Sequence, residues 1–259
     1  FPPMVEALHK LGGIPIKPIL AESMQMGDEN HTSQTACDYI YDRLMLPALF
    51  ELDRPKKEIM KTVRYIVDTP RFFHCYGQAA ARAALVAADG TEYSTMVTAV
   101  CGNGVEFGIK IASLPGQWFT APAPMMKGRY TSSEFTEKDQ LPWMGDSCVV
   151  ECYGMGGFAA AASPIVCNLR GMTLKESIGQ TKEMYRITME KNYNFPIPNL
   201  DFDFLPVGID IRKVLKEGVC PAIHGGMFNR VGGLIGAGMA RVPMQCFEKA
   251  LVAFGEKYL

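Results

Sequence analysis

The sequence predicts an α+β protein in which a helical N-terminal subdomain leads into a mixed α/β subdomain with a Gly-rich loop. Two observations carry this expectation. Apolar residues recur at helical spacing through the first third, and after Asp89-Gly90 β-rich runs, prolines and glycines take over. The division falls at 1–90, mainly helical, and 91–259, mixed. The chain opens Phe1-Pro2-Pro3 without an initiating Met, so the helical part is expected to continue a preceding segment of a longer polypeptide.

Pro2-Pro3 can start a short helix through Lys10, ended by Gly12-Gly13. Ile16, Ile19, Leu20 and Met24 mark a second helix to Met26. Thr32 to Leu52 is long and amphipathic, Pro55 opens a helix to Val67, and the Ala-rich stretch Arg71 to Ala88 favours another. Ser94 to Val100 and Val105 to Ala112 are β-rich runs joined through Asn103-Gly104, a hairpin signal. Short strands are expected at Gln117 to Thr120 and Met125 to Tyr130. Helices follow at Asp146 to Tyr153, at Gly156 to Leu169 with a break at Pro164, and from Thr173 to about Lys191. The last begins with Thr173 and Glu176 in capping-box spacing. Asn192 to Gly208 reads as turns, Asp210 to Glu217 as a short helix stopped by Gly218, and Val219 to Ile223 as a buried strand. The glycine cluster Gly225 to Gly238 reads as a loop, and Pro243 to Tyr258 as the final helix.

Composition excludes several classes. The chain has 259 residues, 26 Lys plus Arg and 27 Asp plus Glu, a net charge of -1. It lacks the basic face that nucleic acid requires. No apolar run is long enough to span a membrane; Gly156 to Leu169 is too short. The 8 Cys form no CxxC pair, and reduced thiols in a cytoplasmic protein are expected. No cofactor motif is present: the Gly225–Gly238 run lacks the Gly-Lys-Ser/Thr of a phosphate loop, and no acidic residue completes a dinucleotide fingerprint.

Five clusters can carry chemistry, each with a structural alternative. In Gly27-Asp28-Glu29-Asn30-His31, Asp28 and His31 are three apart. On one helix face the carboxylate would hold the imidazole in one tautomer or share a metal with it, and Asp28, Glu29 and His31 form the catalytic set. Alternatively these are helix-capping residues. Asn103 and Gly104 offer backbone amides to a ligand, or simply turn a hairpin. Trp118, beside a Pro-rich turn, lines a pocket or belongs to the core. Asp146 and Ser147 bind an anion at a helix start, or cap it. His224, Asn229, Arg230, Gly233 and Gly236 lie in the glycine run, where Arg230 supplies a fixed positive fork for an anion; close glycine packing is the alternative.

In this order, Gln25-Met26-Gly27-Asp28-Glu29 with His31, Asn103-Gly104 with Phe107-Gly108-Ile109, Gln117 to Pro124, Gly145-Asp146-Ser147, Gly156-Gly157-Phe158-Ala159, Gly208 to Val214, and Ile235-Gly236-Ala237-Gly238 through Leu251 resemble the YlbE-like family, domain of unknown function 1116. Its best-assigned members are oxamate carbamoyltransferase subunits. The resemblance covers nearly the whole chain. It departs at Gly102, where the family commonly has Arg, at Leu234, where it has Gln, and at Thr32-Ser33, where it has Asn-Arg. It implies a subunit of a homo- or hetero-oligomeric transferase of purine and allantoin breakdown that exchanges oxalurate and phosphate with oxamate and carbamoyl phosphate. A non-catalytic scaffold subunit and a metal-dependent amidohydrolase using Asp28, Glu29, His31 and His224 are the competing expectations.

Overall fold

The computed structural model describes residues 2–259, side chains at positions 164, 165 and 169 excepted. The first third is helical: α1 (Pro2–Lys10), α2 (Ile16–Gln25), α3 (Thr35–Phe50), α4 (Lys56–Val67) and α5 (His74–Val86). Each buries an apolar stripe, as in α4, where Ile59, Thr62 and Ile66 face inward. An aromatic cluster ties α3 to the start of α5: the Tyr41 ring lies 5.7 Å from Phe72 and from Tyr76, and 5.9 Å from Phe73.

Strands follow: β1 (Val97–Asn103), β2 (Glu106–Ile111), β3 (Phe119–Pro122), β4 (Lys127–Tyr130) and β5 (Met144–Gly145). The expected β1–β2 hairpin forms, with Gly104 at φ 85° in its turn. After β5 come α6 (Val149–Cys152), a 3-10 segment (Gly156–Ala162), α7 (Pro164–Leu169) and α8 (Leu174–Met184), whose capping box is present as the Thr173 and Glu176 spacing predicts. The chain closes with β6 (Thr188–Ile197), β7 (Asp203–Ile209), α9 (Ile211–Glu217), β8 (Ala222–Phe228), β9 (Leu234–Arg241) and α10 (Met244–Tyr258). Among the described residues the strand orders are β3-β2-β1-β5, β4-β9-β8 and β6-β7. One buried apolar cluster runs from Met4 to Ala250. The helical-then-mixed architecture therefore holds, and no helix is long and apolar enough to cross a membrane.

Three expectations are corrected. The helix expected to Lys191 ends at Met184, and Asn192 to Gly208 is not turn-rich: it forms most of the β6–β7 hairpin, with Thr188, Asn192, Phe195 and Ile197 buried. Pro196 and the surrounding Asn residues mask that strand in the sequence. The Gly225–Gly238 run is not a loop but the β8–β9 hairpin. Its glycines permit close crossing of β4: a Cβ built on Gly128 would lie 2.1 Å from the Ala237 carbonyl oxygen and 2.4 Å from Gly238 Cα. Backbone cannot turn aside as a side chain can. Gly128→Ala is therefore expected to cost about 1–3 kcal/mol of stability, read from urea denaturation; an unchanged midpoint would disprove the close crossing.

The third correction concerns Asp28 and His31. Helix α3 begins at Thr35, not Thr32, so these residues lie in the connection between α2 and α3. That connection is buried and clamped. Asn30, at φ 61°, accepts from Ser23 Oγ (3.0 Å) and Cys37 Sγ (2.7 Å) and donates to the Leu20 carbonyl (3.2 Å). Asp28 Oδ2 accepts from the amides of Ala36 (2.8 Å) and Cys37 (3.1 Å), capping α3.

Candidate functional site

The α2–α3 connection, α6, α8 and β8 meet at a buried polar cluster. Glu29 Oε1 accepts from the amides of His31 (3.3 Å), Thr32 and Ser33 (2.9 Å), so the backbone wraps one carboxylate oxygen. Its Oε2 faces His224 Nδ1 at 3.4 Å and Arg170 Nη2 at 3.9 Å. Glu151, on α6, places Oε1 2.9 Å from His31 Nδ1, where it also accepts from the amides of Gly157 (3.0 Å) and His224 (2.8 Å). Only glycine fits between these partners. A Cβ on Gly156, at φ 57°, would lie 2.4 Å from Glu151 Oε1 and 3.0 Å from His31 Nδ1.

The charges balance within the cluster. Full burial pushes the Glu29 carboxyl up, but the His224 hydrogen bond and the Arg170 guanidinium outweigh it and hold the group well below the usual carboxylate range. Burial likewise lowers the His31 imidazole, but Glu151 more than compensates and leaves it above its ordinary value. Burial also pushes the Glu151 carboxyl up, and His31 with the His224 and Gly157 amides only partly offsets it; His31 and Glu151 form a charged pair above that raised value, beside the Arg170 and Glu29 charges. His224 is neutral: burial and Arg170 lower it to about 3. Gln180 Nε2 donates both to the Gly157 carbonyl (2.8 Å) and to His224 Nε2 (2.9 Å). The amide nitrogen of a Gln can only donate, so His224 carries its proton on Nδ1, toward Glu29. Nitrogen-resolved NMR is expected to show His224 as this neutral tautomer from pH 7 down to about 3; protonation near 6.5 would refute the arrangement.

His31 and Thr32 open onto a cavity of about 470 Å³, walled by Arg71, His74 and Cys75 on one side and by Trp143, Met144, Ser147 and the β8–β9 glycines on the other. None of its described lining residues is acidic. His74, whose ring stacks 6.1 Å from that of His31, is lowered to about 4 by burial and by the positive charge of His31. In and beside this cluster the buried polar atoms without partners among the described residues are His31 Nε2, Glu151 Oε2, Gln34 Oε1, and the Nε and Nη1 of Arg170. Such buried groups are costly unless something fills the space beside them. A cavity without acidic residues among its described lining and with an imidazolium at its floor can hold a small anion and deliver a proton to it.

The family model described as oxamate carbamoyltransferase subunit AllG matches residues 1–147. The chain belongs to the AllG family. It is 34% identical over 247 residues to the oxamate carbamoyltransferase subunit AllG of Escherichia coli K12, covering 94% of this chain and 59% of that protein. It is 35% identical over 259 residues to the uncharacterized protein YahG of the same organism, covering 99% and 55%. A crystal structure of a conserved protein of unknown function from Enterococcus faecalis V583 superposes with a TM-score of 0.95 at 35% identity, over 98% of this chain and 62% of that one. The chain thus spans between half and two thirds of the length of these relatives.

The structure distributes the sequence-predicted residues of this AllG-family chain over several places. His31, Ser147 and Gly236 line the central cavity, and Glu29 and His224 lie in the cluster beneath it. Asp28 is turned to α3 and does not hold His31. Among the described residues no group of three His, Cys, Asp or Glu side chains is set to hold a metal, so the amidohydrolase ligand set of Asp28, Glu29, His31 and His224 does not assemble. Asn103 turns the hairpin, its Oδ1 accepting from the amides of Val105 (2.9 Å) and Glu106 (2.7 Å), and with Gly104 it stands apart from the cavity. Trp118, with Lys110 4.7 Å above its ring, and Asp146 line a separate cleft. Asn229, Arg230 and Gly233 occupy the exposed end of the β8–β9 hairpin, where Arg230 donates to the Lys138 carbonyl at 2.9 Å. The expected convergence of His31, Asn103 and Arg230 on one cavity does not occur. Glu151, Arg170, Gln180 and His74 were not singled out as site residues; the one available signal was Glu151, a lone carboxylate amid Cys148-Val149-Val150 and Cys152.

Proposed function

We propose that this chain forms the small-anion site of a carbamoyltransferase subunit that exchanges oxalurate and phosphate with oxamate and carbamoyl phosphate, assembled with further subunits of such a complex in the cytoplasm. In the phosphorolytic direction the bond between the carbamoyl carbon and the oxamate nitrogen breaks. A phosphate oxygen bonds to that carbon, and the nitrogen gains a proton. The observation that carries this reading is a cationic His31, its buried Nε2 unpartnered among the described residues, lining a cavity with no acidic residue among its described lining. His31 Nε2–H is suited to hold the oxamate end and return the proton to its nitrogen. Glu151 keeps the ring charged and oriented, and Arg71, which makes no ion pair among the described residues, adds positive charge at the wall.

The test is carbamoyl phosphate release from oxalurate and phosphate by the full-length protein reconstituted with its partner subunits. Turnover is expected, together with binding of oxamate to the full-length protein. A complete complex that binds oxamate but transfers no carbamoyl group would overturn the transferase assignment.

A further inference from the structure

Strand β8 pairs with β9 on one side only. In an antiparallel ladder the N–H and C=O of alternate residues turn away from the partner strand. The Val242 amide donates to the Pro221 carbonyl at 3.0 Å, which sets the alternation: His224, Gly226 and Phe228 turn outward. Two of these have one outward group satisfied. His224 N–H donates to Glu151 Oε1 at 2.8 Å, and the Phe228 carbonyl accepts from the Leu141 amide at 2.8 Å. Gly226 lies between them. No backbone or side-chain group among the described residues pairs with its N–H or C=O, and Gly226 lines the same cavity as His31.

An open strand edge is a template for a ligand of complementary pattern. A residue presenting N–H and C=O side by side matches a primary carboxamide, whose oxygen accepts and whose amino group donates. The second anchor stands beside it. Glu151 Oε1 joins the His31 ring (2.9 Å) to the amide of His224 (2.8 Å), two residues and about 7 Å along the strand from Gly226. His31 and Gly226 both line the cavity.

We propose that Gly226 is the carboxamide-recognition point of this cavity and His31 Nε2 the seat of an adjoining carboxylate, so that the cavity selects short acids carrying a primary carboxamide next to the carboxylate. This deepens the reading above and rests on its placement of the anion at His31. Recognition comes from backbone, so no side-chain motif announces it. A Cβ at Gly226 would clash with Leu234 Cδ1, at 2.4 Å, the far end of a flexible side chain, and would touch Leu234 Cγ (3.8 Å) and the Gly236 carbonyl oxygen (3.9 Å) at ordinary contact distance. Gly226→Ala thus keeps the N–H and is accommodated, whereas Gly226→Pro removes the donor at a strand edge that tolerates proline.

The experiment is calorimetric binding of oxamate and of pyruvate to the full-length protein at one pH. The two probes share the carboxylate and the adjacent carbonyl and differ in an amino group against a methyl group. The protein is expected to bind oxamate about tenfold more tightly than pyruvate, one hydrogen bond's worth of discrimination. Gly226→Ala is expected to preserve that ratio, and Gly226→Pro to lose oxamate affinity by about tenfold. Equal affinity for the two probes, binding of neither, or an equal loss in the Ala and Pro variants overturns the proposal. Should Gly226→Pro not fold, the ratio in the wild-type and Ala proteins decides alone. Failed carbamoyl transfer with intact discrimination sinks the transferase assignment and leaves Gly226; transfer without discrimination does the reverse.

Discussion

Replacing Glu151 by Ala is expected to lower the unfolding free energy by about 3–5 kcal/mol, the usual cost of breaking a buried ion pair by removing one partner. Glu151 is fully buried, and its Oε1 holds together the α2–α3 connection through His31, the 3-10 segment through Gly157 and β8 through His224. Its removal leaves a buried imidazole, no longer held charged, and two amides without an acceptor. Glu151→Gln, which keeps an acceptor oxygen but not the charge, is expected to lose less. Urea denaturation followed by circular dichroism measures both. If the Ala variant unfolds within about 1 kcal/mol of the parent, Glu151 does not hold these three segments together.

Replacing His31 by Gln is expected to reduce carbamoyl transfer by about 10²–10⁴-fold, the range for loss of a positioned acid, without the destabilisation caused by Glu151→Ala. The pH dependence has a definite sign. His31 is held above its ordinary value of 6.5 because Glu151 outweighs the opposing effect of burial. The His31 contribution is therefore present below 6.5 while Glu151, itself raised by burial, stays ionised, and it is lost as pH rises through the folded value of His31. Oxamate affinity is expected to follow the same course, strong while the ring is charged and weakening as it titrates. The Gln variant is expected to show a flat profile over that range. A parent protein whose oxamate affinity does not change across the alkaline limb would remove His31 from the anion seat.

The fold was legible where local chemistry decides it. Thr173 and Glu176, Asn103-Gly104, and Asp210 with Gly218 each mark a boundary that the structure keeps. It was obscured where tertiary pairing overrides local signals. Pro196 and the Asn residues of β6 look like turns until β7 lies beside them, and the glycines of β8–β9 look like a loop until β4 pairs with β9. The site was half legible for the same reason. Glu29, His31 and His224 stand out as polar residues, but Glu151 and Arg170 reach them across 120 and 141 positions of sequence. No spacing rule connects groups that far apart. Asp28 misled because a carboxylate three residues from a histidine is equally a helix cap.

The walls of the cavity come from positions 31–32, 70–75, 143–147 and 225–237. No contiguous stretch of chain contains even a crude version of it, so the helical part alone would present the His31 floor and one wall but not the wall facing it. Occupancy consequently reports completion of the entire long-range assembly. Closure on this scale is slow, because distant segments must find one another before any are rewarded. A ligand held at a hundred times its dissociation constant would add about 2.7 kcal/mol to the assembled state, making metabolite supply a determinant of how long each molecule survives.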